Sequence, residues 1–144
     1  MVNLTQFTKD ALLGGASYNI NTGEYNPTKG YFVSVMGCED KSESLNKDLI
    51  KTYVYKHLDV LANTDKFLGA WLNEDDGLYY LDCSEQIHDL RTALVQGMRR
   101  DQKAIWDANN SREIRLPTRQ RAGTSAQCEA YLQMKVNELI EQYA

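Results

Sequence analysis

Leu4, Phe7, Ala11 and Leu12 recur at helical spacing and Gly14-Gly15 follow as a stop, so residues 4–13 are expected to form a helix. Residues 16–20 and 31–36 then read as strands around a polar loop, a loose first hairpin. Leu45, Leu49, Tyr53, Leu58 and Leu61 mark one face of a second helix over residues 45–62. A second hairpin spans residues 67–82, with Asp76-Gly77 as its turn signal. Ser84 is the expected N-cap of a third helix over residues 85–99, whose stripe is Ile87, Leu90, Leu94 and Met98. A third hairpin over residues 104–116 leads through a loop to a last helix that begins near Thr124 or Ser125 and reaches Tyr143. Its inner face is Cys128, Leu132, Val136, Leu139 and Tyr143. The predicted order is α-ββ-α-ββ-α-ββ-α. That is a single α+β domain over residues 1–144, an antiparallel sheet of three hairpins with helices packed on it.

Strand alternation predicts which side chains face inward. The last two hairpins share an outline in which a tryptophan leads through polar turn formers to a leucine, and both Trp71 and Trp106 are assigned to core faces. In the third hairpin Ala104, Trp106, Ile114 and Leu116 form the apolar face, against Ile105, Asp107, Glu113 and Arg115 on the wet one. In the second, Gly69, Trp71, Tyr79 and Leu81 oppose Leu68, Ala70, Leu72, Leu78 and Tyr80, and both faces are apolar. A hairpin apolar on both sides needs cover on both. Leu68, Leu72, Leu78 and Tyr80 are therefore candidates for a surface covered by a partner or by a second copy of the chain, a homodimer.

Charge is unevenly placed. The net charge of −4 argues against non-specific nucleic-acid binding by the whole surface. Residues 1–98 carry 8 Lys/Arg and 14 Asp/Glu, whereas residues 99–144 carry 8 and 6. The basic excess is concentrated in Arg99, Arg100, Lys103, Arg112, Arg115, Arg119 and Arg121, a tract that suits an acidic partner. Arginine forks match carboxylates and phosphates, and the loop around Pro117 has the exposure that recognition uses.

Motifs for chemistry are missing. There is no GxSxG, P-loop or GxGxxG pattern, so no catalytic residue is assigned and no cofactor is expected. Cys38, Cys83 and Cys128 are odd in number and lack a CxxC, which fits free thiols in a reducing cytosol. A Cys83/His88 pair falls short of the three or four ligands that zinc needs, so no metal site is expected. The start of the chain lacks a charged, then apolar, leader pattern, and no apolar run approaches a membrane span; the expectation is a cytoplasmic protein without a membrane partner.

The pattern Gly14-Gly15-Ala16-Ser17-Tyr18-Asn19, Thr22-Gly23-Glu24-Tyr25-Asn26-Pro27 and Gly30-Tyr31-Phe32-Val33-Ser34 carries a resemblance, with Leu68-Gly69-Ala70-Trp71-Leu72 and Ala104-Ile105-Trp106-Asp107 after it. Over residues 4–116 the chain resembles small proteins carried by bacteriophages and integrated mobile elements. That resemblance carries over no functional residue. It implies a bacterial host cytosol and an accessory role, the binding of a host protein or its nucleic-acid complex, defence systems such as CRISPR effectors included. Two functions of different class follow. One is a non-catalytic binding protein, acting through the arginine tract and the second hairpin. The other is a small-molecule or nucleotide-binding protein, even an enzyme, with Tyr79, His88, Asp89 and Arg91 lining its pocket.

Overall fold

The computed structural model describes residues 4–144. In chain order these form α1 (Leu4–Leu12), β1 (Gly15–Tyr18), β2 (Tyr31–Ser34), β3 (Asp40–Ser42), α2 (Lys47–Lys56), α3 (Leu58–Leu61), β4 (Lys66–Asn73), β5 (Leu78–Ile87), α4 (Leu90–Arg99), β6 (Ala104–Asp107), β7 (Arg112–Arg115) and α5 (Ser125–Tyr143). The class is α+β and every strand pairing described below is antiparallel. No helix among the described residues is long and apolar enough to cross a membrane.

The chain packs as two compact units. One comprises the segment ending at Pro27 together with Val35–Glu85; the other comprises Thr28–Ser34 and Gln86–Ala144. In the first unit β4 lies between β1 and β5, and β3 pairs with the other edge of β5. One face of this sheet contributes Leu68, Ala70, Leu81 and Cys83 to a core shared with Phe7 and Ala11 of α1, Ile50 and Tyr53 of α2 and Leu61 of α3. In the second unit β6 lies between β2 and β7. Its core joins Val33, Ile105 and Ile114 to Ala93, Leu94 and Met98 of α4 and Leu132, Val136 and Leu139 of α5.

Several expectations are corrected by strand pairing. Residues 16–20 and 31–36 do not form a hairpin: β1 pairs with β4 and β2 with β6. The loop after β1 is instead folded on itself by Asn19, which is buried. Its Oδ1 accepts from Asn21 N and Thr22 N, and its Nδ2 donates to Thr64 O at 2.7 Å. The expected helix over 45–62 begins later, with Asn46 as its N-cap, and is broken at His57 into α2 and α3. Ser84 caps nothing. It pairs with Phe67 in a strand that runs on to Ile87, and Asp89 caps α4 instead. Ladder hydrogen bonds to β4 outweigh the local preference of a serine for a helix start. The last helix agrees with the sequence at both ends, since Thr124 and Gln127 form a reciprocal capping box.

Hairpin register changes the face assignments most. Asn73 pairs with Leu78 and Asp107 with Arg112, so both hairpins close through four residues. Trp71 therefore sits opposite Tyr80, and Trp106 opposite Glu113. A slip of one residue turns every side chain of a strand to the other face. Both indoles are exposed, at 37% and 46%, rather than in the core. Ile105 and Asp107, expected on the wet face, are buried. Leu68 belongs to the core and Tyr80 is buried as well, while Leu72 and Leu78 are half-buried. Leu68 and Tyr80 are thus already covered and do not offer the apolar docking surface expected of them.

A candidate anion-binding cleft

The end of α4 sets the geometry of the basic region. Gln102 N donates to Gly97 O at 2.9 Å and Asp101 N to Met98 O at 3.1 Å, the paired bonds of a Schellman ending. The left-handed position that this ending needs is held by Asp101, at φ 55°, where glycine is usual. From there the Asp101 carboxylate meets two arginines of the following loop. Oδ1 is 3.1 Å from Arg119 Nε, and Oδ2 accepts from Arg121. The Arg119 contact is an ion pair misaligned for a hydrogen bond, which leaves that buried Nε without a hydrogen-bond partner among the described residues.

Beside this pair lies a cleft of about 260 Å³, lined by Asp101, Gln102, Lys103, Arg115, Leu116, Pro117, Thr118 and Arg119. Three cationic side chains face one carboxylate, an excess of two positive charges. Lys103 is exposed and forms no ion pair among the described residues; Arg115 pairs with Glu113 at 3.2 Å, both well exposed. Exposed pairs of this kind contribute only about 0.2–1 kcal/mol each, so an incoming anion displaces them at little cost. The volume falls below the roughly 300–1,000 Å³ of typical small-molecule pockets. It suits a carboxylate or phosphate group rather than a whole metabolite.

The structure divides the basic tract. Lys103, Arg115 and Arg119 come together at the cleft, and Arg121 joins them through Asp101. The other three cations tie the second unit together. Arg99 pairs with Glu129 at 3.0 Å, linking α4 to α5, and Arg100 donates to Ser34 O at 3.3 Å. Arg112 binds Asp107 and the Tyr143 carbonyl and lies over the Tyr143 ring. Sequence reasoning missed Asp101, because an acid within a basic tract reads as dilution; only the left-handed turn makes it the shared counter-ion.

The residues expected to line a pocket have structural contacts. Asp89 accepts from Thr92 N and Oγ1 as a helix cap, bonds that hold its carboxyl below the usual range. Arg91 reaches Asn137 of α5 at 2.7 Å, and His88 lies against Gly30. Tyr79 pairs with Leu72 and packs on the core of the first unit.

A second constellation lies in the first unit. Cys38 on the approach to β3, His57 at the α2–α3 break and Cys83 on β5 are all buried, and their donor atoms lie within 4.8 Å of one another. Tyr53, one turn before His57, donates its hydroxyl to Cys38 O at 2.5 Å and lies 3.3 Å from Cys83 Sγ. Its ring is 4.5 Å from the His57 imidazole, whose Nε2 is buried without a hydrogen-bond partner among the described residues. Burial pushes the Cys83 thiol up to about 12 and raises Tyr53 as well. Both acids are held neutral in the folded chain and ionise more readily once unfolded. Their contribution to stability is therefore complete below the unfolded thiol's pKa of about 8.5 and is lost as pH climbs toward the folded value. The urea midpoint is expected to fall between about pH 8 and pH 11, and to fall less in Cys83→Ala. Equal slopes for the two proteins would show that Cys83 is not part of this sensitivity.

Comparison with protein-family models, with curated proteins and with solved structures finds no match to this chain.

Proposed function

We propose that the protein is a non-catalytic binding protein that docks an anionic group of a larger partner in the cleft formed by Lys103, Arg115 and Arg119. The observation that carries this reading is the excess positive charge of the cleft, where Lys103 is exposed and forms no ion pair among the described residues. A carboxylate or phosphate would balance that charge. A net charge of −4 around this local excess of cations favours an acidic patch on a protein, or on its nucleic-acid complex, over a bare nucleic-acid backbone. The resemblance to small phage and mobile-element proteins supports a bacterial host protein as that partner, with inhibition of a defence effector as the consequence.

The test is capture from nuclease-treated bacterial lysate, read by mass spectrometry. The triple variant Lys103→Glu/Arg115→Glu/Arg119→Glu is expected to lose the partner while keeping the wild-type circular dichroism spectrum. Asp101→Gly, which suits the left-handed backbone and frees both arginines, is expected to hold it more tightly. Unchanged capture by the triple variant would show that the cleft does not hold the partner. Capture that vanishes with nuclease treatment alone would move recognition to phosphate.

A further inference from the structure

The thiol and imidazole cluster belongs to the first unit, whereas the cleft residues belong to the second. We propose that Cys38, His57 and Cys83 form a zinc(II) site. Tetrahedral zinc, with bonds of about 2.3 Å to sulfur and about 2.0 Å to nitrogen, places its donors roughly 3.6–3.8 Å apart. Donors within 4.8 Å of one another reach that spacing by a contraction of about 1 Å. Charge selects the ion. Two thiolates and a neutral imidazole give zero net charge with zinc(II) but a net negative charge with copper(I), and a buried site disfavours uncompensated charge. Each thiol releases its proton to solvent as the metal enters. The imidazole is already positioned: His57 is buried, and its Nε2 has no hydrogen-bond partner among the described residues. Tyr53 Oη, 3.3 Å from Cys83 Sγ, is an oxygen at hand for the fourth corner. The three ligands come from a loop, a helix break and a strand, which is why no CxxC or CxxH spacing announces them.

The experiment starts from the full chain, reduced and stripped of metal with a chelator. Zinc is titrated against a chromogenic competitor, and cobalt(II) serves as a spectroscopic probe. Wild type is expected to take up about one zinc per chain, to gain thermal stability on doing so, and to show thiolate-to-cobalt charge transfer in the near ultraviolet. Cys38→Ser, Cys83→Ser and His57→Gln are each expected to weaken binding by more than about tenfold, and Cys128→Ser to leave it unchanged. No zinc uptake by wild type overturns the site, as does a cobalt spectrum without sulfur bands, a readout that needs no variant to fold. Retention by Cys38→Ser and Cys83→Ser, or loss in Cys128→Ser, also overturns it. Uptake of copper(I) but not zinc overturns the charge argument. A Cys38–Cys83 disulfide that, once reduced, still takes up no metal assigns the pair to redox chemistry instead.

Discussion

Asp107→Ala is expected to destabilise the protein by about 3 kcal/mol, read as a fall in unfolding free energy by urea titration at neutral pH. Asp107 ends β6 and is fully buried. Its Oδ2 accepts from Arg112 Nε and Asn110 Nδ2, each at 2.9 Å, and together these close the four-residue loop of the hairpin. Removing the carboxylate also strands the guanidinium that donates to the Tyr143 carbonyl at 2.8 Å and fastens the end of α5. The Arg112 side chain is 38% exposed and can turn to water, which keeps the loss near the lower end of the roughly 3–5 kcal/mol for broken buried pairs. Asp107→Asn retains the shape and exchanges charged hydrogen bonds for neutral ones, so about 1–2 kcal/mol is expected. Burial opposes the charge on Asp107, but the hydrogen bonds from Asn110, Arg112 and Asn109 outweigh it, and the carboxyl is held below its usual range. Its stabilisation is therefore present above about pH 3.9 and is lost as pH falls through the lower folded value. Asp107→Asn should show a weaker loss in acid than wild type. A Asp107→Ala variant within about 0.5 kcal/mol of wild type would show that the hairpin is held elsewhere.

Phe7→Ala is expected to cost about 3–5 kcal/mol, a large share of the roughly 5–15 kcal/mol that stabilises a typical domain. Phe7 is 1% exposed, and α1 packs on β1, β4 and α2, so the emptied volume lies inside the core and has no solvent to fill it. Leu13, just past the same helix, is 81% exposed, and Leu13→Ala should stay within about 0.5 kcal/mol. The pair is compared by thermal and urea unfolding. Equal losses in both variants would contradict the assigned face of α1.

How much of this was legible depends on the range of the interaction that decides it. The inner face of α5 and the α4 stripe from Leu90 through Leu94 to Met98 were readable, because helical periodicity and the Thr124 cap are local, whereas Ile87, expected in that stripe, ends β5. The α1 stripe was readable at Phe7 and Ala11, but Leu12 proves exposed. For the candidate cleft, the sequence supplied Lys103, Arg115, Arg119 and Arg121, since clustered charge is visible in any one-dimensional reading. It could not separate them from Arg99, Arg100 and Arg112, which differ only in what lies beside them in space. The cysteine and histidine cluster was illegible for the same reason. Cys83 was paired in sequence with His88, whereas the fold brings it to Cys38 and His57.

By itself, then, the sequence determined the α+β class, the helix cores and the location of the basic segment, all properties carried by neighbours within a few turns of chain. The tertiary structure decided strand partners, hairpin register and the gathering of donors. A one-residue change in loop length reverses a whole strand, and that change is settled by hydrogen bonds and burial between distant segments. The two exposed tryptophans record the difference: the hairpins that carry them were visible in the sequence, but the faces they present were chosen by pairing.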